Sequence, residues 1–185
     1  MKLLTFKLAG TEYLGALTDT GVFNLSAAAP EDIAFSSMQH FIEAGQLALD
    51  RAYALLESSS VSIPSDQVDF LAPLPLPPQI RDCLGFEEHL KNSFESAMKL
   101  SAMAADDPVV AERELRASGR FTVPEVWYQQ PLYYKANRFS VAESGKDVVW
   151  PAYSEVMDFE LEMACIVGKK GKDISKVNAE DHIFG

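Results

Sequence analysis

Three short, mainly apolar runs open the chain, residues 3–8, 13–17 and 22–25, each bounded by polar and glycine-containing segments. Short apolar runs between turn signals predict β-strands. Ala9-Gly10-Thr11 and Asp19-Thr20-Gly21 have turn chemistry, so the runs read as a three-strand meander. Pro30-Glu31-Asp32 then opens a helical pattern through Ile33, Phe41 and Ile42 that stops near Gly45. A second helix is expected behind it, with Leu47, Tyr53-Ala54 and Leu55-Leu56 as its apolar stripe and Ser58-Ser59-Ser60 as its end. One further short strand, 68–71, precedes Pro73-Leu74-Pro75-Leu76-Pro77-Pro78. Prolines at this density remove amide donors and prevent a helix, so this segment is expected to be a stiff extended connector. The pattern predicts a small α+β domain over 1–72, a linker over 73–80 and a second domain over 81–185.

The second domain opens on Arg81-Asp82-Cys83-Leu84-Gly85-Phe86-Glu87-Glu88-His89. A helical stripe runs from Phe86 through Leu90, Phe94 and Ala97-Met98 to about Ala104. Asp107-Pro108 is a good cap and first-turn pair for another helix over 109–117, which Gly119 closes. Residues 126–128, 132–135, 148–150 and 160–167 are predicted to be strands of one sheet. The last of these lies in the run Met157-Asp158-Phe159-Glu160-Leu161-Glu162-Met163-Ala164-Cys165-Ile166-Val167-Gly168. As a strand it puts Glu160 and Glu162 on one face with Asp158 in line, and Phe159, Leu161 and Met163 on the other.

The 185 residues carry 48% apolar and 23% charged side chains, the balance of a globular protein. A formal net charge of −11 argues against nucleic acid or an anionic membrane as main partner. No apolar run approaches the roughly 18 residues of a membrane span. The apolar start is interrupted by Lys7 and Glu12 and reads as folded chain, not a signal peptide. Cys83 and Cys165 are too few for a disulfide framework, so a reducing cytoplasm is expected.

Several side chains carry candidate chemistry. Two carboxylates roughly 6–7 Å apart along a strand can converge on one hard cation, or stay as solvated glutamates. His89 borders the buried helical stripe and is a candidate general base, since an imidazole titrates near neutrality; a helix histidine satisfied by a carbonyl or water is the plainer alternative. Asp82 is either a local turn residue or a third carboxylate for the same cation. Glu87 and Glu88 read as a solvated face, or as partners that orient His89. Lys135 sits in the apolar-aromatic run Pro131-Leu132-Tyr133-Tyr134-Lys135, where it either binds a substrate carboxylate or snorkels to water. Cys83 reads as a small hydrophobe sooner than a nucleophile. No Gly-rich phosphate loop, nucleophile elbow or zinc spacing is present.

Together these segments resemble the fumarylacetoacetate hydrolase family. Asp158-Phe159-Glu160-Leu161-Glu162 is similar to its Asp-x-Glu-x-Glu strand, whose glutamates bind a divalent metal. Asp82 and His89 resemble the metal-binding Asp and water-activating His of its two-domain members. Arg81-Asp82, Phe86-Glu87 and His89 look like a bacterial subgroup written Arg-Asp-x-x-x-Phe-Glu-x-His. The proline-rich segment occupies the usual place of the linker, and residues 179–185 resemble the turn before the next family strand. The resemblance implies an α+β, mostly β fold, in which the small N-terminal domain precedes the start of a mixed β-sandwich roll. In the family the chain continues past the position of Gly185 into a strand with a further Asp ligand, so the sequence reads as the front portion of a longer protein. Leu84 stands where the founding enzyme has a substrate-binding Tyr, which argues against fumarylacetoacetate itself as substrate.

The resemblance implies a metal held by Asp82, Glu160 and Glu162, with His89 as base, Lys135 on the substrate carboxylate, and a homodimer. Oxygen-only ligands predict magnesium, calcium or manganese over zinc. The expected activity is hydrolysis or decarboxylation of small β-dicarbonyl, acylpyruvate-type keto acids. A folded dimerising module without chemistry and an isomerase of unsaturated dioic acids are the alternatives.

Overall fold

The computed structural model describes every residue except Ser59, Ser60, Val156 and Asp158. Two sequence expectations therefore lie partly or wholly outside the described residues: Ser59-Ser60 of the expected Ser58-Ser59-Ser60 helix end, and Asp158 of the acidic run. The chain is α+β with small antiparallel sheets, and it forms two units, one of Met1–Pro77 with Phe139–Gly185 and one of Pro78–Arg138.

In the first unit the expected meander forms as β1 (Lys2–Leu8), β2 (Thr11–Thr18) and β3 (Gly21–Asn24). Leu8 faces Thr11 across a two-residue turn in which Ala9 and Gly10 both have positive φ, 50° and 83°. This turn matches the right-handed twist of the strands it joins. Asn24 caps the short α1 (Leu25–Ala28) by accepting from the Ala27 amide. The single helix expected after Pro30 is instead a 3-10 turn, Ile33–Phe35, followed by α2 (Met38–Ala44). Asp32 and Ser37 each cap their own segment through a side-chain oxygen, and two caps in one stretch divide it. Next comes α3 (Gln46–Ser58), then β4 (Asp69–Phe70), giving the sheet order β3-β2-β1-β4. The buried stripe of α3 differs from expectation. Ala48 and Ala52 face the core, because small residues let the helix lie close against its neighbours; of the expected stripe Leu55 and Leu56 pack against the core, whereas Leu47, Tyr53 and Ala54 are exposed.

The core of this unit gathers Leu14, Ala16, Phe23, Leu25, Phe35, Met38, Phe41 and Ile42, with Ile166 and Phe184 packed against it. A short antiparallel contact brings in those last two. Val167 bridges Ile183, the Phe184 amide donates to the Ile166 carbonyl at 2.7 Å, and the Gly168 amide donates to the His182 carbonyl at 2.9 Å. An added Cβ at Gly168 would stand 2.9 Å from the Phe184 Cβ, so close packing demands glycine there.

The second unit contains β5 (Arg81–Cys83), α4 (Glu87–Met103), α5 (Pro108–Ala117), α6 (Glu125–Gln129) and β6 (Tyr133–Lys135). Leu90, Met98 and Ala102 are the buried side of α4, whereas Phe86 and Ala97 are exposed. Asp107 caps α5 as expected, accepting from the amides of Val109 and Val110 at 3.1 Å each. Arg116 ties α5 back to α4 through a two-pronged bond to Glu95, 3.0 and 2.8 Å. No helix among the described residues is long and apolar enough to cross a membrane.

The four-strand sheet expected in the second half does not form. Residues 126–128 are helical in α6, where Pro124 precedes the first turn and Glu125 lies within it. These start signals outweigh the β-branched and aromatic composition that suggested a strand. Residues 148–150 carry no strand. Residues 159–166 are also outside any strand or bridge, and pairing begins only at Val167. Alternation specifies two faces, but a strand exists only through the ladder of a neighbour. Along 159–165 every side chain is exposed, the apolar Phe159, Leu161 and Met163 included.

Candidate functional site

β5 and β6 pair antiparallel, with Arg81 opposite Lys135, Asp82 opposite Tyr134 and Cys83 opposite Tyr133. Directly opposed side chains share a face and neighbours along a strand alternate. Asp82 and Tyr134 therefore take one face, and Arg81, Cys83, Tyr133 and Lys135 the other. Contacts on both faces agree with this register. The Tyr134 hydroxyl donates to Oδ2 of the half-buried Asp82. On the reverse, the Arg81 guanidinium lies 5.3 Å from the Tyr133 ring centre and donates to Gln79 Oε1 and the Ile80 carbonyl. Cys83 is exposed and free, as is Cys165.

Residues 84–86 lead from β5 to α4, and several hydrogen bonds fasten this connection. The Leu84 amide donates to the Leu132 carbonyl at 3.0 Å, and the Leu84 carbonyl accepts from Trp127 Nε1 at 2.7 Å. Tyr128 donates its hydroxyl to Glu87 Oε1 at 2.7 Å, and Lys91 Nζ meets the same carboxylate at 2.8 Å. The Lys91 bond first, and the Tyr128 bond after it, hold the Glu87 carboxyl below its ordinary range. The same bond to Glu87 raises the Tyr128 phenol. Glu87 is thus engaged with Lys91 and with α6, where the sequence suggested a solvated face or a partner for His89. His89 lies in the first turn of α4, exposed, with Ser93 Oγ 3.5 Å from its Nε2. Beside these residues, Lys91, Phe94, Glu95, Phe121, Thr122, Val123 and Tyr128 line an open cleft of about 300 Å³.

Asp82, His89 and Lys135 belong to the second unit, and Glu160 and Glu162 to the first. Both glutamates are exposed, in the irregular stretch before Val167. Among the described residues no three His, Cys, Asp or Glu side chains stand together as a metal site. The donor set itself, three carboxylates, suits a hard divalent cation, which takes oxygen ligands. The match is one of donor chemistry. Tyr134, Trp127 and Tyr128 were missed by the sequence reading. Their roles come from the β5–β6 register and from bonds across 41–52 positions of chain, which no local pattern encodes.

The family model described as fumarylacetoacetate (FAA) hydrolase C-terminal matches residues 85–185. The chain is also similar to oxaloacetate tautomerase FAHD2A, mitochondrial, of Homo sapiens. These two are 28% identical over 192 residues, which cover all of this chain and 50% of that protein. Similarity to oxaloacetate tautomerase fahd2, mitochondrial, of Xenopus laevis is 25% over 150 residues, 80% of this chain and 37% of that one. Fumarylacetoacetase of Arabidopsis thaliana is 37% identical over 76 residues, 32% of this chain and 18% of that enzyme. The chain spans about half the length of the relatives that match all of it. With the family model covering more than half of its residues, the chain belongs to the fumarylacetoacetate hydrolase family.

Proposed function

We propose that the protein is a divalent-metal-dependent enzyme acting on small β-dicarbonyl 2-keto acids, with cleavage of a carbon–carbon bond in acylpyruvate-type substrates as its reaction. The observation that carries this reading is the placement of an oxygen donor, Asp82, one short connection before the imidazole of His89, within residues fastened by Leu84, Trp127 and Tyr128. Asp82, Glu160 and Glu162 would hold magnesium, calcium or manganese. Bound there, the cation would supply Lewis-acid stabilisation of negative charge on the substrate's keto and carboxylate oxygens. His89 takes a proton from water as the water oxygen bonds to the acyl carbon. The carbon–carbon bond then breaks with its electron pair on the keto-acid fragment, which regains a proton at carbon. Lys135 is proposed to bind the substrate carboxylate. It sits at the end of β6 on the face opposite Asp82, so its four-carbon chain must reach past the strand end.

A second reading, keto–enol tautomerisation of oxaloacetate, is favoured by the similarity over the whole chain to proteins named oxaloacetate tautomerases. Here His89 moves a proton between carbon and oxygen, and no bond to water forms. A homodimer in the cytoplasm completes the proposal. Two exposed, free cysteines suit any reducing compartment, the mitochondrial matrix included.

Purified protein should be assayed with magnesium, manganese or calcium against acylpyruvates and oxaloacetate. Release of pyruvate reads cleavage, and loss of enol absorbance reads tautomerisation. Glu160→Gln and Glu162→Gln are each expected to lower metal-dependent turnover by about 10-fold or more. Turnover that ignores both metal and these substitutions would refute the metal-centred mechanism, and no turnover of any substrate would favour a folded module without chemistry.

A further inference from the structure

We infer that Tyr134 is a positioning residue that presets the Asp82 carboxylate for its cation, a role that rests on the reading of Asp82 as a metal ligand. The β5–β6 register places the two residues directly opposite each other, on the same face of the ribbon. The Tyr134 phenol donates to Oδ2 of Asp82. One donor at Oδ2 fixes the plane of the carboxylate and leaves Oδ1 as the oxygen presented to a ligand. A free aspartate would lose that rotational freedom only when the ion arrives, so a preset one binds more tightly. Hydrogen-bonded support of ligating carboxylates has this effect in metal sites generally.

The nature of the donor matters as much as its position. The nearest cationic neighbour along β5, Arg81, points to the other face and spends its guanidinium on Gln79 Oε1, the Ile80 carbonyl and the Tyr133 ring. Among the described residues no lysine or arginine forms an ion pair with Asp82. A cation there would compete with the metal for the same charge. A neutral phenol orients the carboxylate and leaves its full negative charge available. Tyr134 thus supplies direction without neutralisation, which neither phenylalanine nor lysine at this position could do.

Titration calorimetry of the full chain with manganese, and separately with magnesium, tests the role. Tyr134→Phe is expected to weaken metal binding by about 10- to 100-fold, while the melting temperature of the metal-free protein stays within about 2 °C of the parent. Asp82→Asn, measured alongside, should weaken binding at least as much. If Asp82→Asn weakens binding and Tyr134→Phe does not, the positioning role is overturned and the ligand assignment stands. If neither substitution changes the affinity, or the parent chain binds no metal, the ligand assignment falls and the role of Tyr134 with it. A Tyr134→Phe protein whose metal-free melting point drops sharply while its metal affinity holds would show a structural role only, and would also overturn the inference.

Discussion

Replacing Phe184 with alanine should loosen the 166–168 and 182–185 ladder from the core of the first unit while leaving the unit folded. Phe184 is half-buried and meets the Phe41 ring edge-to-face, with centres 6.1 Å apart and planes at 90°. Truncating a fully buried phenylalanine costs about 3–5 kcal/mol, and at half burial about 2 kcal/mol remains. Phe41, which is fully buried, should cost the whole ~3–5 kcal/mol when truncated. An edge-to-face pair contributes about 0.5–1.5 kcal/mol beyond burial, so the double substitution should cost less than the two single ones together by about 1 kcal/mol. For a chain of this size each kcal/mol moves the melting temperature by about 2–4 °C, which puts Phe184→Ala about 4–8 °C below the parent. Urea unfolding of the four proteins gives the cycle, and hydrogen exchange at the Gly168 and Phe184 amides reads the ladder directly. Energies that add within about 0.3 kcal/mol, or exchange at those amides unchanged in Phe184→Ala, would refute the view that this ring contact anchors the ladder.

Asp107→Ala removes the side-chain acceptor shared by the Val109 and Val110 amides, and should lower stability by about 1 kcal/mol, measured by urea unfolding. Glu87 has a folded-state pKa below its ordinary 4.5. Its contribution is therefore complete above the unfolded value and is lost as pH falls through the folded one, because the unfolded chain binds a proton the folded chain refuses. The melting temperature of the parent should fall more steeply than that of Glu87→Gln as pH drops below 4.5, and parallel profiles would contradict the bond to Lys91 and Tyr128. Lys135→Ala should raise KM for the keto acid by about 10-fold, the scale of a lost charged contact, and leave metal affinity unchanged in calorimetry. An unaltered KM would remove Lys135 from the substrate site.

The meander and the Asp107 cap were legible in the sequence because local chemistry decides them: Ala9-Gly10 makes its own turn, and Asp107 reaches its own next amides. The Asp-x-Glu-x-Glu run, Asp82 and His89 were enough to identify the family before any fold was seen. Pairing was not legible. β5 was unforeseen because three residues, Arg81-Asp82-Cys83, carry no alternation, and β6 is its neighbour only through contacts across about fifty positions. Residues 159–165 failed in the opposite way, with a clear alternation and no ladder among the described residues to convert it into a strand. On α3, Leu55 and Leu56 were legible, but Leu47 and Tyr53 outweighed Ala48 and Ala52 in the reading of the stripe, although close helix packing selects the smaller side chain.

The two-stranded ribbon of β5 and β6 sorts opposite kinds of chemistry by parity alone. Sliding β6 by a single position along β5 would bring Lys135 across from Asp82 in one direction and Tyr133 in the other, and Tyr134 would turn to the reverse side. With Lys135 opposite, the Asp82 carboxylate would become half of an ion pair without any change of amino acid. Short insertions near Leu132 are thus expected to be more damaging than most substitutions at the ribbon itself.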